Sequence, residues 1–160
     1  MKKKFFQIFA AVILVTGILL LGACATIKPA TKDDIAEVKD LGQRFCEAMS
    51  RKDLDAAMDC FWDSPDLIVV LWGNTIRGSD ALRASIAQLF EQNESVKLTI
   101  NKSDSVLVGD GIMTVGIATY DLKPKNGPGM QIVEVWTDLT RKIDGRWVYV
   151  LDQATVLPPE

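Results

Sequence analysis

Arg141-Lys142-Ile143-Asp144-Gly145-Arg146-Trp147 is the stretch from which the rest of the chain can be ordered. Asp-Gly between two apolar runs signals a two-residue hairpin turn, because both turn positions want positive φ. The spacing therefore predicts a final hairpin of residues 131–142 and 146–157. Upstream, residues 123–129 hold Pro124, Gly127, Pro128 and Gly129 and read as a loop. Residues 112–120 read as a strand after the turn Gly109-Asp110-Gly111. Val106-Leu107-Val108 precedes that turn, and Val96, Leu98 and Ile100 alternate with polar residues before it.

Before Asn93 the period changes from two to the helical one. Leu82, Ile86, Leu89 and Phe90 form one stripe of a helix starting at Gly78-Ser79-Asp80. Residues 67–72 are a continuous apolar and β-branched run, a strand covered on both faces. Gly73-Asn74 turns it, and Thr75-Ile76-Arg77 returns as a short strand. Ser64-Pro65-Asp66 breaks the chain ahead of that run. Ile35, Val38, Leu41, Phe45 and Met49 mark a first helix, with Thr31 or Asp34 as cap and Glu37 completing an acidic capping box. Asp53 caps a second, which buries Leu54, Ala57, Met58 and Phe61. The order is helix, helix, strand, helix, then four long antiparallel strands. That is an α+β layer fold, three N-terminal helices on one side of a curved, mostly antiparallel sheet.

The N-terminus carries a separate message. Lys2, Lys3 and Lys4 precede an apolar run from Phe5 to Ala23, the pattern of a secretory signal peptide. The run ends in Leu21-Gly22-Ala23-Cys24, which resembles the lipobox of bacterial lipoproteins. The resemblance implies cleavage before Cys24 and a lipid on its sulfur. The organisation is then a signal peptide over 1–23, a lipidated cysteine and tether over 24–32, and one domain over 33–160. The expected location is the bacterial cell envelope, at the outer membrane facing the periplasm if the host has two membranes. The eight residues from Ala25 to Lys32 extend at most about 28 Å, so the domain meets its partners close to the membrane.

Removing 23 of 160 residues leaves 137, enough for one hydrophobic core. It also leaves 15 basic residues against 21 acidic ones. An acidic domain without a Lys/Arg cluster has no electrostatic footprint for nucleic acid. The chain has no histidine, which excludes an imidazole base, a Ser-His-Asp triad and a His-ligated zinc. No metal, nucleotide or other cofactor motif is visible. Cys46 and Cys60 lie on either side of the Arg51-Lys52-Asp53 turn between two helices. They can face each other there, so a disulfide and a pair of buried thiols both remain open.

Three local sequences, in order, resemble the nuclear transport factor 2-like superfamily, which includes SnoaL-like cyclases and ketosteroid isomerases. They are Lys52-Asp53-Leu54-Asp55-Ala56-Ala57, Arg77-Gly78-Ser79-Asp80-Ala81-Leu82-Arg83 and the hairpin 141–147. The resemblance implies a cone-shaped half-barrel, a pocket between helices and sheet, and often a homodimer through the outer sheet face. It carries no single chemistry. The isomerases use a first-helix tyrosine and a first-strand carboxylate. Here Phe45 and Val69 or Val70 stand at those places. Many SnoaL-like members end in a motif with histidine, and here Leu151-Asp152-Gln153-Ala154-Thr155 has Gln153 instead.

The expected ligand-binding residues are Phe45, Trp62, Trp72, Thr137, Tyr149 and Gln153, with Tyr149 and Gln153 placed inside by the resemblance. That placement depends on strand register, since a one-residue slip exchanges the faces. Trp147 reads as core. Glu134, Asp138 and Asp152 are the catalytic suspects, the first two sitting mid-strand on the face of Trp136. Three functions follow. The first is an envelope lipoprotein that binds a small apolar or amphipathic molecule without catalysis. The second is a cofactor-free isomerase, cyclase or hydrolase, which needs a buried carboxylate with a raised pKa. The third is a dimerisation or protein-interaction module.

Overall fold

The computed structural model describes residues 29–158. The segment read as a signal peptide, Cys24 and most of the tether lie outside the described residues. Among the described residues no helix is long and apolar enough to cross a membrane.

The elements follow the expected order: α1 Asp34–Arg51, α2 Leu54–Met58, β1 Ile68–Leu71, β2 Asn74–Arg77, α3 Ser79–Gln92, β3 Asn93–Val108, β4 Gly111–Pro124, β5 Met130–Ile143 and β6 Arg146–Val156. They build an α+β fold with the helices packed on one six-stranded sheet of order β2-β1-β6-β5-β4-β3. Every neighbouring pair is antiparallel except β1 with β6, which is parallel.

Turn chemistry sets the hairpins. Asp144 and Gly145 both have positive φ, 50° and 78°, as the Asp-Gly turn requires. Trp72 and Gly73 do the same between β1 and β2, at 51° and 87°. The second case is unusual, because a bulky residue in the left-handed region costs of order 1–3 kcal/mol.

Helix α1 begins differently from the capping-box expectation. Asp33 occupies the cap without a side-chain bond. Asp34 accepts from the backbone N–H and hydroxyl of Thr31 and from the Trp147 indole N–H. It also pairs with Lys142. The first residue of α1 is thus tied to the β5–β6 hairpin, and these partners hold its carboxyl down at about 2. Asp53 caps α2 as expected, accepting from the Ala56 N–H at 3.1 Å.

The core lies between the inner face of the sheet and α1 and α3. Leu41, Met49, Leu67, Val69, Val96 and Ile112 are fully enclosed. The outer face is uncovered and apolar, with Met113, Val115, Ile117, Val135 and Leu151 all exposed. Cys46 and Cys60 are buried free thiols rather than a disulfide, and burial pushes both up to about 11.

One departure from regular pairing matters more than the rest. The β5–β6 ladder runs Asp138↔Asp152 and Leu139↔Leu151, then steps to Thr140↔Tyr149. Val150 is left over as a bulge. Residues on either side of it therefore change parity. Tyr149 and Asp152, which strict alternation puts on opposite faces, both point inward.

Gly116 is the tightest point of the sheet. A Cβ there would stand 2.5 Å from the Lys102 carbonyl oxygen and 2.7 Å from the Trp136 ring. Gly116↔Trp136 is a register pair, so the missing side chain is what lets the indole lie flat across β4. Gly116→Ala should therefore destabilise the domain by about 1–3 kcal/mol through overpacking. Urea unfolding followed by tryptophan fluorescence measures this, and an unchanged midpoint would refute the account.

Candidate functional site

A cavity of about 470 Å³ opens between α1, α3 and the inner face of the sheet. Its walls are mostly apolar, supplied by Met49, Leu71, Ile86, Leu89, Leu98 and Ile100 among others. Exposed Asn74, Gln88 and Gln92 form its polar rim. A concave, aliphatic and aromatic wall with a few polar groups is the usual form of a small-molecule site.

Aromatic side chains shape two sides. Phe45 from α1, Phe61 and Tyr149 pack as a trio, with centroids 5.3 Å (Phe45 to Phe61), 6.1 Å (Phe45 to Tyr149) and 5.2 Å (Phe61 to Tyr149) apart. Trp72 meets Tyr120 edge to face at 5.6 Å. Trp136 adds a third side across Gly116. The positive φ of Trp72 is what turns its indole back over the sheet, where the Nε1–H donates to Glu134 Oε2 at 2.6 Å.

Three carboxyl groups face this apolar space: Glu134, Asp138 and Asp152. Glu134 is 4% exposed and Asp138 3%. Asp138 and Asp152 stand directly opposite each other on β5 and β6. Burial strips each of water, and this is the main cause of their raised pKa values. Asp138 is pushed up to about 8, first by burial and then by the charge of Asp152, with a Thr114 hydrogen bond working the other way. Asp152 is pushed up to about 7 by burial and the charge of Glu134, against the Gln153 backbone N–H. Glu134 is raised by burial, and its bond from Trp72 opposes the shift. Asp138 Oδ1 is buried with no hydrogen-bond partner. Tyr120 and Tyr149 border the cluster, and burial and the nearby carboxylates push both phenols up.

The expected site residues divide cleanly. Phe45, Trp72 and Tyr149 line the cavity together with all three suspect carboxyls. Trp62, Thr137 and Gln153 do not. The bulge at Val150 turns Asp152 inward and Gln153 outward, where Gln153 is exposed and donates to Thr155. Thr137 pairs with Gln153 and shares its outer face. Trp62 lies past the Phe61↔Tyr149 bridge, its backbone N–H held by the Tyr149 carbonyl, and it lines a separate, more polar cleft. Sequence reasoning also left out Tyr120 and Phe61. A tyrosine and a phenylalanine in apolar patterns carry no local sign that they face a cavity.

Among the described residues, no group of three His, Cys, Asp or Glu side chains is placed to hold a metal ion. The groups the cavity itself offers include three carboxyls, two phenols, the Cys46 thiol and the indoles of Trp72 and Trp136.

The fold recurs among solved structures. A nuclear transport factor 2-like protein from Salmonella enterica serovar Typhimurium superposes with a TM-score of 0.75 at 13% identity, over 81% of this chain and 95% of that one. A protein of unknown function and the same fold from Shewanella oneidensis gives 0.61 at 28% identity, over 76% and 98%. A Streptomyces avermitilis protein of that family, described as a proposed dehydratase, gives 0.69 at 19% identity, over 81% and 100%. No curated protein shows significant sequence similarity to the chain. The family model for the SnoaL-like domain matches residues 43–150, from the middle of α1 into β6. These matches, with the six-stranded sheet and its cavity, show that the chain belongs to the SnoaL-like domain family.

Proposed function

We propose that the domain holds a small, largely apolar molecule in the cavity and moves a proton on it, with Asp138 and Asp152 as donor and acceptor. The observation that carries this reading is the facing pair of carboxyls, Asp138 buried and Asp152 partly buried, in an apolar, aromatic space. Two such groups without a counter-cation share a proton near neutral pH, so one gives while the other takes. The step changes no oxidation state. A proton leaves one atom of the ligand for the ionised carboxylate, and the protonated neighbour returns one elsewhere. Trp72 fixes Glu134 at the near end of the cluster. Glu134 and Asp138 are buried and Asp152 partly so, and loss of water raises all three carboxyls, which supports catalysis beside simple binding. This favours proton transfer over inert storage.

We further propose that the domain works at a membrane surface, anchored through a lipid on Cys24. Support comes from Leu21-Gly22-Ala23-Cys24 behind its basic and apolar leader.

Three outcomes test these readings. Small apolar carbonyl compounds incubated with the protein in heavy water should incorporate deuterium, read by NMR. Asp138→Asn and Asp152→Asn should each slow this by about hundredfold or more. Saturable binding without exchange in any compound would leave a binder and remove the proton-transfer reading.

Stability should also depend on pH in a defined direction. Asp138 and Asp152 have folded values of about 8 and 7 against 3.8 as the ordinary value. The native state therefore binds more protons than the unfolded one between those limits, and stability falls as pH rises through them. The lowered carboxyls Asp34, Glu94 and Asp110 lose their contribution only below the ordinary carboxylate range. The melting temperature should thus be higher near pH 5 than near pH 9, each kcal/mol counting for roughly 3–6 °C in a domain of this size. Replacing both aspartates by asparagine should flatten that slope, and a profile rising toward pH 9 would contradict the burial of the pair. Finally, the wild-type protein made in a bacterial host fed labelled palmitate should take up the label and Cys24→Ser should not, whereas an unlabelled wild-type protein would end the anchor proposal.

A further inference from the structure

The carboxyl cluster has an imbalance that proton transfer alone does not require. Among the residues that line the cavity there is no lysine or arginine. Among the described residues, none of the ion pairs involves Glu134, Asp138 or Asp152. The polar groups beside them are the Thr114 hydroxyl and Tyr120 phenol from β4, Tyr149 from β6 and the Trp72 indole from the β1–β2 turn, with the Cys46 thiol of α1 and Ser85 and Gln88 of α3 elsewhere on the cavity wall. None is a cation. Trp72 supplies one N–H, and it is spent on Glu134. Asp138 Oδ1 receives nothing, although Asp138 is only 3% exposed. An orphaned carboxyl oxygen costs about 1–3 kcal/mol unless a donor arrives.

We propose that the molecule taken by this cavity carries a protonated amine, seated between Asp138 and Asp152 with its apolar remainder against the aromatic walls. The inference rests on the reading of the cavity as a small-molecule site and names the class of that molecule. An ammonium group supplies up to three N–H donors and the missing positive charge at once. A charged donor on a carboxylate is roughly twice as strong as a neutral pair. Trp72, Trp136 and Tyr120 add ring faces that favour a cation. An anionic ligand would face three carboxyls with no cation to offset them. A neutral one would leave the charge unmatched. A bare metal ion is disfavoured by the spacing of the acids, which do not converge as ligands do. An organic cation, whose N–H bonds reach outward, is not bound by that constraint.

Calorimetric titration of the purified protein with three probes of similar shape tests this: phenethylamine, phenethyl alcohol and hydrocinnamate. The amine should bind about tenfold or more tighter than the alcohol, as expected for hydrogen bonds to charged partners, and the carboxylate should not bind. Amine affinity should rise from about pH 6 to about pH 8.5 as the pair ionises, with proton release visible as a buffer-dependent heat. Asp138→Asn and Asp152→Asn should each remove the preference for the amine over the alcohol. Alcohol binding equal to or tighter than the amine would overturn the amine assignment and leave the small-molecule site standing. Failure of all three probes to bind saturably would overturn both.

Discussion

Strand β6 is hydrogen-bonded on both edges, antiparallel to β5 and parallel to β1, and the arrangement of the site depends on those two ladders. The β5 ladder sets Asp138 against Asp152. The β1 ladder sets Val69 beside Asp152 and Leu71 beside Ala154, which delivers the Trp72 turn to the rim of the same cluster. A third attachment, the Phe61↔Tyr149 bridge, brings the end of α2 against the same strand. Asp138, Trp72 and Phe61 come from three separate stretches of chain, and β6 is the strand they share. A strand held on both sides cannot shift register without breaking both ladders, so the carboxyl positions are as fixed as the backbone allows.

Such a site is costly to the fold that holds it. Two aspartates and a glutamate are taken out of water with little to compensate them, and Trp72 sits in a strained backbone region to reach Glu134. The compensation is found elsewhere. The Asp34 junction ties α1 to the last hairpin through Thr31, Lys142 and Trp147, and Leu41, Val69 and Ile112 close the core beneath the cavity. Groups that destabilise the resting protein, collected in one concave place, are the pattern expected where a task is set against stability.

Much of this was legible in the sequence. The Asp144-Gly145 turn, the Asp53 cap, the Gly78 helix start and the change of period after Asn93 are local signals, and local signals place elements well. Glu134 and Asp138 could be singled out because acids spaced two apart around a tryptophan share one face of a strand. What could not be read was the bulge. Residues 146–153 look like an unbroken alternation, and nothing in Val150 itself says that β5 will skip it. That one unpaired residue sent Gln153 and Thr137 outside and brought Asp152 in. Trp62 was misplaced for a related reason, since its position follows from a bridge to a strand almost ninety residues away. The left-handed turn at Trp72 was equally hidden, because its partner Glu134 is 62 positions further along the chain.

The Val150 bulge also gives this strand one place where its length can change without changing what faces the cavity. Tyr149 is already matched to Thr140 and Leu151 to Leu139, so loss of the Val150 codon would join two halves that are in phase, with Asp152 still opposite Asp138. The same loss within the paired stretch of either half would rotate part of the strand and exchange inward for outward side chains. A cavity wall built across such a bulge tolerates a shorter strand at one position and not at its neighbours further along.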